Sequence, residues 1–425
     1  MLFSHMRACA AAVLIGLATP VFATSVFAAA DDPTFGPGTY DRTTGGLQFY
    51  EQIVATGGWG TLPASVNGSK EGSLGPDVLA LRQRLAISGD LAATLVNDDV
   101  FDASLTVALK RFQNRHGLTE TGTVGVLTLK ALNISAKTRL MQLKATMERM
   151  RNNGFQFPQR YVVVNIPAAS VEAINNGRVE RRHVAVVGRK DRPSPVLETR
   201  ITAVNLNPTW TAPLSIVKND IMPKVRANPG FLATSNMRVI GAGGEELPPS
   251  AVDWSGKTGV NFSIRQDPGP TNALGVVRLD MPNSHSVYMH DTPKKELFRS
   301  DLRFHSSGCA RTANVRDLAA WLLQDAGVNR ADIDADIEEG QTKTLRMARH
   351  VAVAWVYLTA WGDGVGNVQF REDIYGLDDS AKEIAASTLV ARRQQPGTTA
   401  SISSKTVASA KASAMRVSQS ALDAK

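Results

Sequence analysis

Cysteine is nearly absent from this 425-residue chain, which has two, Cys9 and Cys309. That scarcity excludes a disulfide-stapled scaffold and any centre built from several thiolates. Histidine is also sparse, seven in all, and no two stand four residues apart as a helical zinc pair requires. Beyond the first thirty residues no apolar run is long enough to span a bilayer as a helix. An excess of acid is missing too: 47 Lys and Arg face 39 Asp and Glu, for a formal charge of +8. That balance favours anionic surroundings, whether nucleic acid, anionic lipid or an acidic polymer.

What is present begins with residues 1–30. Arg7 is followed by an apolar run from Ala11 to Val21, and Phe27-Ala28-Ala29-Ala30 precedes Asp31-Asp32. This three-part pattern reads as a signal peptide cleaved near Ala28 to Ala30, with an apolar core too short for an anchor. Export excludes nucleic acid as a partner. Loss of Cys9 leaves Cys309 as a lone thiol in a compartment where thiols pair or oxidise. At the other end, residues 379–425 scatter Arg392, Arg393, Lys405, Lys411, Arg416 and Lys425 among Ser, Ala and Thr and read as a disordered basic tail.

Between these ends the pattern divides. Residues 31–71, rich in Gly, Thr and Pro, read as a mostly extended leader. From 72 to 135 helical spacing recurs three times: Val78, Leu81 and Leu85, then Leu105, Leu109 and Phe112, then Val124 to Leu132, a small three-helix bundle. A linker helix occupies 136–158 through Leu140, Leu143 and Met147. Residues 159–330 are β-rich: Tyr161 to Ile166, a hairpin turn at Asn175-Asn176-Gly177-Arg178, Arg181 to Val187, Ile201 to Leu206, Gly275 to Leu279 and Val287 to Met289. A long excursion at about 215–267, with exposed-looking Trp254 and Phe262, reads as a cap. Residues 331–378 read as a helical extension, with an apolar helix from Leu345 to Trp361 holding His350.

The chemistry gathers at Ser306-Ser307-Gly308-Cys309-Ala310-Arg311. A thiol nucleophile needs a base and donors for the oxyanion that forms on carbonyl attack. His290 ends a strand and precedes Asp291-Thr292-Pro293; His305 is a rival base close in sequence, and His285 a third candidate. The helix opening at Val315 is expected to present backbone N–H groups near Gly308 and Cys309 and to lower the thiol pKa.

Two stretches carry a resemblance. Gly75-Pro76-Asp77-Val78-Leu79-Ala80-Leu81 through Asn133 resembles the peptidoglycan-binding domain. Tyr288-Met289-His290-Asp291, followed by Ser306-Ser307-Gly308-Cys309-Ala310-Arg311, resembles the signature of L,D-transpeptidase catalytic domains of the YkuD type, and Asn207-Pro208-Thr209-Trp210 is similar to the YcbB-like subgroup. The resemblance implies a multidomain chain: a three-helix bundle joined to a mainly β catalytic domain with a capping insertion. It further implies Cys309 as nucleophile, His290 as base and the Asp291 carbonyl as its orienter. Ser307, Gly308 and Cys309 amides would form the oxyanion hole, with Arg311, Tyr288 and Trp210 toward substrate. The implied partners are tetrapeptide stems of peptidoglycan, in the periplasm at the cell wall, with no cofactor and no metal. The same Cys309 acyl-enzyme could pass to a second stem, to water, to a D-amino acid or to a protein lysine; a noncatalytic wall-binding protein is the alternative of a different class.

Overall fold

The computed structural model describes residues 32–256 and 259–379. The expected signal peptide and the basic tail lie outside the described residues, apart from Asp379. The first element is a helix, α1 (Thr39–Ala55), where the sequence reading expected extended leader. Gly45 and Gly46 lower its intrinsic propensity, but packing overrides them. Tyr50 and Ile53 are buried, and Gly46 lets Val368 approach so closely that a Cβ there would sit 2.4 Å from Val368 Cγ2.

The bundle follows as expected. Helices α2 (Pro76–Ile87), α3 (Ala103–Arg115) and α4 (Val126–Leu132) close around Leu81, Leu85, Leu105, Leu109, Phe112 and Leu132. Pro76 opens α2, and the Asp102 carboxylate caps α3 by accepting the Leu105 N–H at 2.8 Å. Helix α5 (Ala136–Arg151), capped by Ser135, then runs along α1 toward the second domain.

That domain is built on strands β1 (Arg160–Asn165), β2 (Ser170–Asn175), β3 (Arg178–Gly188) and β4 (Leu197–Leu206). Asn176 and Gly177 both take positive φ, 49° and 77°, which gives the β2–β3 turn the twist a tight hairpin needs. The cap comes next: β5 (Trp210–Thr211), α6 (Leu214–Ile216), a π-turn over Val217–Ile221, α7 (Met222–Ala227), α8 (Phe231–Thr234), β6 (Met237–Ile240), β7 (Glu246–Leu247) and β8 (Ser263–Gln266). Its strands form their own sheet in the order β5-β8-β6-β7. Trp254 and Phe262, expected to be exposed, pack on that sheet's apolar core with ring centroids 5.3 Å apart.

The chain returns through β9 (Val277–Asp280), β10 (Met289–His290), β11 (Phe304–Ser306) and β12 (Ala310–Thr312), then α9 (Val315–Leu323), α10 (Arg330–Glu338) and β13 (Lys343–Val356). The main sheet runs β11-β3-β12-β10-β9-β4-β13-β1-β2, and β2 also pairs with β3, so the sheet closes on itself. The expected helical extension at 331–378 is corrected by the structure: helix is confined to α10 and the last described residues from 377, and β13 lies between β4 and β1 inside the sheet. Val353, Ala354 and Trp355 are all 0% exposed, and a strand buried on both faces reads as a continuous apolar run that periodicity cannot tell from a buried helix. His350 is exposed, where the β13–β4 register shifts between Arg346 and Val351.

A last hairpin, β14 (Ala360–Gly362) and β15 (Val368–Phe370), packs Ala360 and Phe370 with Tyr50 of α1 and Leu143 of α5. At this junction Arg115 and Asp90 form a buried ion pair at 2.5 Å, and Arg115 also bonds Tyr50 Oη and the Val368 carbonyl. Burial opposes the Arg115 charge, but Asp90 and Tyr50 outweigh it and raise its pKa. No helix among the described residues is long and apolar enough to cross a membrane. Asp90→Ala strands the buried guanidinium and should cost about 3–5 kcal/mol in chemical denaturation, whereas Asp90→Leu with Arg115→Met should cost clearly less; equal losses would contradict the pairing argument.

Candidate active site

The site follows from one strand pairing. Strands β10 and β12 run parallel with Met289 opposite Ala310 and His290 opposite Arg311, and the Ala310 N–H donates to the Tyr288 carbonyl at 3.1 Å. Side chains alternate along a strand, so Met289 and Ala310 enter the core beneath, where both are 0% exposed. Tyr288, His290, Cys309 and Arg311 then share the opposite face. The Tyr288 and His290 rings meet edge to face at 5.6 Å, and Arg278, opposite His290 on β9, lies 5.7 Å from the Tyr288 ring. His290 stands diagonally across from Cys309, a placement whose Cα separation is typically about 7–8 Å.

His290 is 5% exposed, and its Nδ1 contacts the Asp291 carbonyl. A carbonyl only accepts, so Nδ1 carries the proton and Nε2 keeps the lone pair a base needs. Burial, helped by repulsion from Arg311, lowers the imidazole pKa to about 3, against the pull of the Asp291 and Leu274 carbonyls. Asp291 is fixed in turn, with a carboxylate oxygen accepting the Val276 N–H at 3.2 Å and pairing with Lys295.

Cys309 is half-buried and free. Burial pushes its thiol up to about 11, although the Tyr288 backbone amide and the Arg311 charge favour the thiolate. Arg311 is half-buried, its pKa lowered by burial, with Cys309 and Glu296 as its stabilising neighbours and no ion pair among the described residues. The resting pair is therefore a neutral imidazole beside a neutral thiol. Among the described residues no group of three or more His, Cys, Asp or Glu side chains is arranged to hold a metal.

Three comparisons bear on this constellation. Residues 159–344 match the family model of the L,D-transpeptidase catalytic domain, YkuD. Residues 75–132 match a model whose description provisionally names a peptidoglycan binding domain. The chain thus contains a YkuD-type L,D-transpeptidase catalytic domain. A Haemophilus influenzae protein, named provisionally as an L,D-transpeptidase, is 31% identical over 218 residues, which are 51% of this chain and 44% of that protein. The chain therefore spans less than half the length of this curated relative. Among solved structures, an L,D-transpeptidase from Xylanimonas cellulosilytica is 16% identical over 69% of this chain and all of that one, with a TM-score of 0.23. L,D-transpeptidase 1 of Mycobacterium tuberculosis is 15% identical over 47% of this chain and 62% of that one, with a TM-score of 0.22.

Not every expected residue of the L,D-transpeptidase domain sits as the sequence reading placed it. Cys309 leads directly into β12, which separates it in the chain from the start of α9, and burial raises its pKa where lowering was expected. The Gly308 N–H is already bonded to Ser306 Oγ at 3.1 Å, which leaves the Ser307 and Cys309 amides as the unengaged pair among the described residues. Gly308 itself takes φ 118°, a conformation an L side chain strains to adopt. Trp210 is 8% exposed in the cap core, against which Tyr288 packs. His305 is exposed and contacts the Leu302 carbonyl, and His285 is exposed on a turn. His116 stacks on Phe112, and His183 contacts the Ala313 carbonyl, both away from the thiol.

Sequence reasoning missed the supports. Ser306 Oγ donates to the Cys309 carbonyl at 2.6 Å, and Ser194 Oγ donates to the Gly308 carbonyl at 2.7 Å. The Ser194 N–H donates to the Tyr375 hydroxyl, which donates to the Gly188 carbonyl. Arg192 links Ser307 to Asp220 of the cap. The hydroxyl of Ser306, three residues before Cys309, was a readable turn signal; nothing local marks Ser194 or Tyr375. With a thiol pKa near 11 and no imidazolium partner, the rate of Cys309 alkylation by iodoacetamide should climb roughly tenfold per pH unit from 7 to 10. A plateau from pH 5 to 9 would mean a resting thiolate.

Proposed function

We propose that this protein is a cysteine-dependent L,D-transpeptidase that forms 3→3 cross-links in peptidoglycan, outside the cytoplasm at the cell wall. The reading is carried by the register that pairs His290 with Arg311 and so sets His290 diagonally across from Cys309. Sulfur attacks the carbonyl joining the third residue of a donor stem to its terminal D-alanine, and the thiol proton passes to His290 Nε2. The Ser307 and Cys309 amides receive the oxyanion. Collapse breaks the C–N bond, and the D-alanine amine leaves with the proton held by His290, so a thioester remains. The side-chain amine at position three of a second stem then gives a proton to His290 and attacks the thioester, and the thiol is regenerated as the amide forms. Arg311, a cation without an ion pair, receives a stem carboxylate. The bundle holds the same polymer.

Incubation of the protein with purified disaccharide-tetrapeptide, followed by mass spectrometry, tests this directly. A cross-linked dimer lacking one D-alanine is expected, absent with Cys309→Ala. His290→Ala should slow D-alanine release by about 10²–10⁴-fold. Tripeptide as the sole product would assign the acceptor to water, and wild type and Cys309→Ala behaving alike would overturn the reading.

A further inference from the structure

Away from the thiol, a cleft of about 530 Å³ opens between the bundle, the β2–β3 hairpin and the β14–β15 hairpin. Its walls come from elements far apart in sequence: Arg111 and Asn114 on α3, Arg303 before β11, and Asn367, Gln369 and Arg371 on and beside β15. Arg115 and Arg182 reach the same cleft but are neutralised there by Asp90 and Glu172. Arg111, Arg303 and Arg371 are not. Arg111 donates only to the Asp90 carbonyl, Arg303 to the carbonyls of Ser300 and Ala168, and Arg371 to those of Arg115 and Phe370. None of the three forms an ion pair among the described residues, and Arg303 Nε is buried without a partner.

Gathering unpaired guanidinium groups in a partly desolvated cleft is unfavourable unless an anion fills it. Burial, followed by repulsion from Arg303 and Arg182, lowers the Arg371 pKa to about 9, which records that crowding. Planar guanidinium forks suit carboxylates held by two hydrogen bonds. The side-chain N–H groups of Asn114, Asn367 and Gln369 beside them already donate to Glu120 and to Asp363, which also lines the cleft, so the guanidinium groups are what the cleft offers an anion.

We propose that this cleft is a second, noncatalytic site for the carboxylate-bearing stem peptides of the wall polymer, shared between the bundle and the catalytic domain. The proposal rests on the reading of peptidoglycan as the substrate. It makes wall retention a property of the assembled chain and not of the bundle surface alone: α3 contributes one wall, and the β15 side and Arg303 contribute the other.

The test is co-sedimentation of the full chain with purified sacculi, all in the Cys309→Ala background, so that retention is read independently of whether Cys309 carries out any transfer. D-alanine release, measured separately on the Cys309 protein, reports the catalytic reading alone. Arg111→Gln and Gln369→Glu together should weaken retention at least tenfold, and salt should weaken retention of the parent. Arg349→Glu, on an exposed part of β13, should leave retention unchanged. Circular dichroism melting of each variant confirms folding, and Asn114→Asp, at an exposed position, provides a milder change expected to act in the same direction. Uncharged chitooligosaccharide should not compete with sacculi, whereas disaccharide-tetrapeptide should. Retention of the folded double variant equal to the parent, or competition by the uncharged glycan alone, would overturn the proposal.

Discussion

The parallel pairing of β10 with β12 is the constraint on which the site depends. Each strand is only two or three residues long, too short to be stable or to hold a register alone. The register is held from below, where Met289 and Ala310 are sealed into the core that α9 covers, and from the sides, where β9 and β3 complete the ladder. A slip of one residue would turn His290 and Cys309 into that core. The closed sheet thereby fixes the geometry of a chemistry it does not itself perform.

Burial then decides the charge state. Arg311 beside Cys309 favours a thiolate, and the Asp291 carbonyl favours an imidazolium, yet desolvation outweighs both. The pair rests neutral. In the proposed reaction such a site transfers the proton only as sulfur meets its carbonyl, and the neutral resting state protects the thiol, because the thiolate is the form that oxidants attack. The cap adds to this by packing its apolar core, Trp210 included, against Tyr288 and by tying Asp220 through Arg192 to Ser307.

Legibility in the sequence followed the range of the interactions. The bundle was readable because Leu81, Leu85, Leu109 and Phe112 repeat at helical spacing, and the β2–β3 turn because Asn176-Gly177 is a local conformational signal. His290 and Cys309 were legible as residue types in a motif. Strand β13 was not, since Val353, Ala354 and Trp355 are apolar on both faces and carry no period; α1 was hidden by Gly45 and Gly46, and the contact with Val368 explains the second of these. The thiol pKa was misjudged because burial, which only the fold reveals, outweighs the favourable groups around Cys309. Ser194 and Tyr375 reach the active-site loop only through the fold.

The central claim is that a neutral, Nδ1-protonated His290 faces a neutral thiol. Nitrogen-15 NMR of the histidine side chains across pH 5 to 9, assigned with His290→Gln, measures this most directly. The account predicts a non-titrating neutral His290 ring with its proton on Nδ1 throughout; an imidazolium signal, or a proton on Nε2, would contradict it.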